Sequence, residues 1–482
     1  MKTRQKAPPT ARLRLAAGGA VGAALALVLT LAAVATAGRS VTRDATPLEL
    51  DATHVPPLLT ALDEPVHLAY DLNCASDDTP EACEGTGTVY LRRGTGGPFT
   101  AYTLAFDRSA PSERYKLAVP DEIAHAADGF SYYAVLREST SGGTVTIPAG
   151  GADAPDTSVP LDAQAQPSGA GATVARMGRA VRSYTAVRLG RHRFGATRRA
   201  TARVAEAPWG DGPTDVGLEN GPESTPIGAS SFDVTPAREV VLLDEAHKRL
   251  LRWRDGEAVT PTPVAVTGAI ADITVGTDGS TYVLESAGDR TDPQPTIRHF
   301  DADGRPLASW HAAERSAAAI RIGPHGPTIL TYPSSQWLEA ADGMRPLAGR
   351  AQTASGMLGR PFGDGSRVLV LRTGNEVRLG LVRPNGTRRT WRIASSTPVA
   401  EVQLATPYRN GALAVFRTYT DTAAEFVVVK LDRNGIADMF SLPTADWAET
   451  APLSRFRLVG DSLYQLGSSP SSVFVDRYDL GG

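Results

Sequence analysis

FDVTPAREVVLLDEAHKRLLRWRDG, residues 232–256, decides the fold. Phe232, Asp233 and Val234 open it and Thr235-Pro236 turns it. Val240 to Leu243 is an apolar run, Glu245 to His247 a polar turn, and Arg249 to Trp253 a third run that stops at Asp255-Gly256. The runs are short and rich in β-branched and aromatic residues, so each reads as a strand. Asp-Gly supplies the positive backbone dihedrals that a tight hairpin needs. The next unit repeats the design with Ile273 to Val275, Asp278-Gly279, Thr281 to Leu284, Ile297 to Phe300 and Asp303-Gly304. In both units the opening run precedes the second by the same offset, Phe232 to Val240 and Ile273 to Thr281.

Looser copies follow through Ile320 to Ile322, Val368 to Leu371, Val402 to Leu404 and Phe456 to Leu458. Three strands and a weaker fourth, recurring at roughly 40–50 residues, are the sequence signature of β-propeller blades. A lone blade cannot bury both faces, whereas a ring of blades can. The last unit ends at Tyr478 to Gly482, too early for an outer strand. The segment Thr197 to Ala205 alternates suitably and is expected to supply that strand. The units resemble the NHL/TolB-like group of six-bladed propellers, on the strength of Phe232 to Arg254 and Ile273 to Gly304. That resemblance implies a propeller over residues 197–482. The family contains binding platforms, lyases and lactonases, so it implies a fold more than an activity.

Upstream, residues 65–162 hold a second β pattern. Its candidate strands are Val66 to Leu72, Gly87 to Leu91, Tyr102 to Phe106, Tyr115 to Val119, Phe130 to Leu136 and Thr144 to Ile147. This reads as a β-sandwich that resembles an Ig-like or fibronectin-III-like module. Cys74 and Cys83, the two cysteines of the chain, lie close together in it and are expected to form a local disulfide. A redox or metal pair is the competing reading, but no CxxC and no histidine cluster accompanies them.

The N-terminus carries Lys2, Arg4, Lys6, Arg12 and Arg14 and then an uncharged Ala/Leu/Val stretch over 15–37, ending in Ala35-Thr36-Ala37. Residues 1–38 therefore read as a signal peptide or a signal anchor. Either places the remainder outside the cytoplasm, secreted or held to the cell membrane. Residues 39–64 read as a tether. Residues 163–196 read as an Arg-rich linker, free of acids, and Arg188, Arg191, Arg193, Arg198 and Arg199 form a candidate strip for an anionic partner. The bland alternative is that these arginines solvate a linker and an edge strand.

The net charge of −3 over 482 residues is close to neutral and argues neither for nucleic acid nor for a polyanion partner overall, and no nucleic-acid partner is expected. The sequence holds no HExxH, no GxSxG elbow and no P-loop. Asp233, Thr274, Arg321, Gln403 and Arg457 occupy equivalent inner positions of the units and are the candidate channel-lining residues. Their mixed charge is not the ring of acids and histidines that a metal lactonase needs, so no metal, cofactor or catalytic residue is assigned. The chain is thus expected to be all-β: an export or anchor helix, a β-sandwich and a six-bladed propeller. It is expected to act as a cell-envelope binding or scaffold protein with a propeller recognition disc. Its partner would be an envelope protein or polymer, with membrane association possible through residues 15–37. The alternative is an extracellular propeller hydrolase or lyase acting on a sugar or lactone.

Overall fold

The computed structural model describes residues 49–76, 79–162, 184–189, 197–221, 225–264, 271–285, 294–313, 317–331, 335–343, 345–347, 351–352, 356–451 and 453–481. The expected leader over 1–38, and with it Arg191 and Arg193, lies outside the described residues. The described chain is all-β, of propeller type, and no helix in it is long and apolar enough to cross a membrane.

Two sheets enclose one core in the N-terminal part. The first runs Glu49–His54, His67–Ser76, Tyr115–Ala118 and Ala105–Phe106, with Thr79–Ala82 paired to His67–Ser76. The second runs Leu59–Thr60, Asp156–Pro160, Phe130–Glu138, Gly85–Arg93 and Thr100–Thr103, with Thr144–Ile147 on Phe130–Glu138. Alternation places Leu68, Tyr70 and Leu72 of one sheet against Leu91, Tyr132 and Leu136 of the other. Cys74 and Cys83 are disulfide-bonded across the neighbouring hairpin. The expected tether over 39–64 is corrected from residue 49 onward. Glu49–His54 pairs antiparallel with His67–Ser76, and Leu59–Thr60 pairs parallel with Asp156–Pro160. Leu50 and Ala52 face the core, so the stretch has apolar surface to bury that its polar neighbours concealed.

In the C-terminal part the repeats form successive antiparallel sheets. The first is Ser231–Val234, Val240–Asp244, Arg249–Arg254 and Glu257–Pro263. The second, in the same order, starts from Ala271–Val275, the third from Ala317–Gly323, the fourth from Arg360–Pro361, the fifth from Val399–Tyr408 and the sixth from Phe456–Val459. Turn chemistry sets the hairpins: Asp255 and Gly256 have φ of 51° and 85°, the two left-handed positions of a type I′ turn. The innermost strands of the first and second, second and third, fifth and sixth, and sixth and first sheets pack side by side. Trp337 and Met357 exchange backbone hydrogen bonds of 2.9 Å between the third and fourth sheets.

The outer strand of the sixth sheet is Ala202–Pro208, paired antiparallel with Ser472–Asp479. The chain segment just before the first sheet thus completes the last one. Trp209 continues this strap, donating its indole N–H to the Ser469 carbonyl at 2.8 Å. The linker expected over 163–196 also contains a strand. Thr185–Leu189 adds in parallel to the outer strand of the fourth sheet, Arg388–Ser395, and buries Val187 and Leu189. Its alternation was masked by the surrounding run of arginines.

The N-terminal and C-terminal parts are joined at the fourth sheet. Leu161 is fully buried among Leu369 and Val382. The Arg388 guanidinium donates to the Pro160 and Leu161 carbonyls at 3.1 and 3.3 Å. Beside them Arg378, buried, is held by Asp63 at 2.5 Å, Glu64 at 2.7 Å, Asp162 at 3.2 Å and Glu376 at 3.0 Å.

Candidate functional site

The innermost strands bring polar side chains to the centre of the C-terminal part because side chains alternate along a strand. Asp233 on the first sheet and Asp272 on the second are the two acids there. Asp233 Oδ2 accepts from the Thr274 hydroxyl at 3.0 Å and the Val275 amide at 2.9 Å, and Arg457 Nε lies 3.2 Å from its Oδ1. Asp272 is fully buried. It accepts from the Ser231 hydroxyl at 2.7 Å, the Ile320 amide at 2.8 Å, Arg321 Nη1 at 2.5 Å and the Ser454 hydroxyl. Arg457 Nη2 stands 3.7 Å from Asp272 Oδ1. One carboxylate therefore ties together strands of the first, second, third and sixth sheets.

The electrostatics follow from burial and pairing. Burial works to raise the Asp272 pKa, but Arg321, Arg457 and the two serine hydroxyls outweigh it and hold the carboxyl below its usual range. Arg457 is pushed down to about 10, first by burial and then by Arg321, against the pull of Asp233 and Asp272. Arg360 is the third guanidinium in this field. Burial, followed by repulsion from Arg321 and Arg457, lowers its pKa well below the ordinary arginine value.

Of the residues expected to line a channel, Asp233, Thr274, Arg321 and Arg457 meet in this network. Gln403 does not; its amide donates to Glu401 on the same strand. Asp272, Ser231, Ser454 and Arg360 were missed. Asp272 precedes Thr274 by two positions and shares its strand face, so the same alternation contains it. Arg360 stands as far before Val368 as Phe232 does before Val240, but that offset matches it to the core residue Phe232 and not to Asp233, so the repeat does not mark it as an axial residue.

Two cavities adjoin the sheets. One, of about 450 Å³, is walled by Pro56 to Leu59 of the N-terminal part and by Trp337, Leu358, Arg360, Val402 and Gln403 of the C-terminal part. The other, of about 970 Å³, opens among hairpin turns of the fourth and fifth sheets. Its cations are Arg383, Arg388, Arg389, Arg409, Lys430 and Arg433, against the one carboxylate of Asp432. Arg383 and Arg389 donate to the backbone carbonyls of Arg409 and Asn410 at 3.2 and 2.7 Å, which orients them without neutralising them. Arg409 pairs with Asp461 at 3.1 Å and Lys430 with Asp438 at 2.9 Å.

The strip expected from sequence is divided. Arg188 is an exposed residue on Thr185–Leu189. Arg198 stacks on Phe440 with its guanidinium 4.6 Å from the ring centre and donates to the Asp479 carbonyl at 2.8 Å, while Arg199 is exposed. Among the described residues no three His, Cys, Asp or Glu side chains group as metal ligands.

No family model matches the chain, and no curated protein matches it. Among solved structures it is similar to virginiamycin B lyase from Staphylococcus aureus, at 11% identity and a TM-score of 0.33, over 54% of this chain and 98% of that one. A putative exported protein from Bacteroides fragilis matches at 8% identity and a TM-score of 0.35, over 62% and 99%. The PQQ-bound aldose sugar dehydrogenase of Streptomyces coelicolor matches at 12% identity and 0.34, over 58% and 98%.

Proposed function

We propose that the chain is an exported or membrane-anchored cell-envelope binding protein. In this reading a sandwich-like N-terminal domain (residues 65–162, with the strands from residue 49) is fused to a six-bladed recognition disc (residues 197–482), and the disc takes an anionic envelope polymer. The observation that carries the reading is the cationic groove between the fourth and fifth sheets. It presents Arg383, Arg389 and Arg433 with no carboxylate partner among the described residues. Close-set guanidinium groups whose backbone bonds fix their direction suit a chain of phosphates or carboxylates. The disulfide supports an oxidising compartment outside the cytoplasm. The joint at Leu161 and Arg378 suits display, since its buried contacts tie the groove-bearing sheets to the N-terminal domain. The mouth-acting hydrolase or lyase has less behind it, because the axial carboxylates are already engaged by Arg321 and Arg457.

The test is retention of the purified protein on poly(glycerol phosphate), with anionic lipid vesicles as a second arm. Binding that weakens steeply with salt and is lost in an Arg383→Gln, Arg389→Gln, Arg433→Gln variant supports the groove. Undiminished binding in that variant, or no retention on the polymer, removes it. Retention on vesicles alone assigns a lipid surface in place of a polymer and overturns the polymer reading.

A further inference from the structure

The axial cluster contains three guanidinium groups, Arg321, Arg360 and Arg457, and two carboxylates, Asp233 and Asp272. Both carboxylates are committed: Asp272 to Arg321 at 2.5 Å, Asp233 to Arg457 at 3.2 Å. One positive charge is left over, and it sits on Arg360. Arg360 Nε is shielded from solvent and has no hydrogen-bond partner. Its guanidinium rests over the Phe362 ring at 4.7 Å, a contact that supports a cation without neutralising it. Among the described residues it makes no ion pair. Arg360 as a residue is half-buried and lines a cavity, so its unpaired charge is open to an anion that is not part of the chain.

The cavity that Arg360 lines indicates what the partner is. Its volume of about 450 Å³ falls in the range of small-molecule sites. Its walls include Leu58, Trp337, Leu358 and Val402. A phosphate ion fills a fraction of such a space and leaves the apolar wall wet. A carboxylate with an apolar body satisfies both features: the head meets Arg360, and the body covers the wall.

We propose that this cavity is a binding site for a small amphipathic carboxylate, with Arg360 as the residue that selects the anionic head. The site is distinct from the cationic groove, which lies among other turns, and it lies where the N-terminal segment Pro56 to Leu59 meets the C-terminal part. Occupancy therefore bridges the two parts of the chain.

Decanoate and its neutral counterpart decanamide are titrated calorimetrically into the purified exported protein, with inorganic phosphate as a third ligand. The expected result is saturable one-to-one decanoate binding, at least tenfold tighter than decanamide. Arg360→Gln abolishes that preference and Arg360→Lys keeps part of it. Arg360→Gln also melts at or above the temperature of the unliganded wild type, because an unpaired charge has been removed, and decanoate raises the melting temperature of the wild type only. Equal affinity for decanoate and decanamide, undiminished preference in Arg360→Gln, or absence of saturable decanoate binding overturns the proposal. So does phosphate binding as tightly as decanoate with the same Arg360 dependence, which would assign the site to an inorganic anion. None of these outcomes bears on polymer retention by the groove, so the two readings stand or fall separately.

Discussion

Arg378 of the fourth sheet places its Nη1 2.5 Å from Asp63 Oδ1 of the N-terminal part, across a sequence separation of 315 residues. Only 1% of the Arg378 side chain is exposed, and Glu64, Asp162 and Glu376 surround the same guanidinium. Removing it leaves several carboxylates facing one another with Arg392 alone to answer them. Losing one partner of a buried pair typically costs about 3–5 kcal/mol. Arg378→Ala should therefore turn one denaturation transition into two, as the parts uncouple. A single transition at the wild-type denaturant midpoint would show that the apolar contacts of Leu161 suffice.

The same joint sets an acid limit. Burial works to raise the Asp63 pKa, but the hydrogen bond and charge of Arg378 outweigh it, so the folded value lies below the usual carboxylate range. A depressed folded pKa contributes stability that is present above the unfolded value and is lost as pH falls through the folded one. The wild type should lose this increment as pH drops below about 4. Asp63→Asn should be less stable at neutral pH yet show a smaller further loss in acid; parallel melting curves for the two proteins across that interval would contradict it.

Glu245 points the opposite way. Burial, ahead of the effects of Glu219 and Asp244, pushes its pKa up to about 8, against hydrogen bonds from the Ser230 hydroxyl and the Ala271 amide. A raised folded pKa means that the folded state binds the proton more tightly, so stability falls as pH rises from the ordinary glutamate value toward about 8 and is flat above it. Glu245→Gln should flatten the melting temperature across that window. An unchanged pH profile in the variant would assign the slope to other groups.

Asp272 holds the centre. Replacing it by alanine strands Arg321 and Arg457 in a buried site, and the loss should equal or exceed the several kcal/mol typical of a broken buried pair. Asp272→Asn keeps one acceptor and should fall between. Urea denaturation of the three proteins orders them; equal midpoints would mean that the axial pairs carry little of the stability.

The strap is tested by deletion. Without residues 197–207 the sixth sheet loses its outer strand, Ala205 and Ala207 vacate the core, and an edge is exposed. Cooperative melting should be lost. A sharp transition near the wild-type temperature would show that the sheets hold together without closure.

The sequence alone determined the all-β class, the hairpin turns and the two cysteines of the disulfide, because these are local: strand alternation and Asp-Gly dihedrals are set by neighbouring residues. It also marked Thr197 to Ala205 as strap material, since an unfinished last unit demands a strand from elsewhere, and the strand that forms, Ala202–Pro208, overlaps that segment. Glu49–His54 and Thr185–Leu189 were hidden because only their partners, Leu72 and Ile393 among them, supply the surface that makes their short alternations worth burying. The surplus charge at Arg360 was decided by tertiary structure alone. Whether a guanidinium is paired depends on which carboxylates distant strands bring within a few ångströms, and no spacing along the chain encodes that distance.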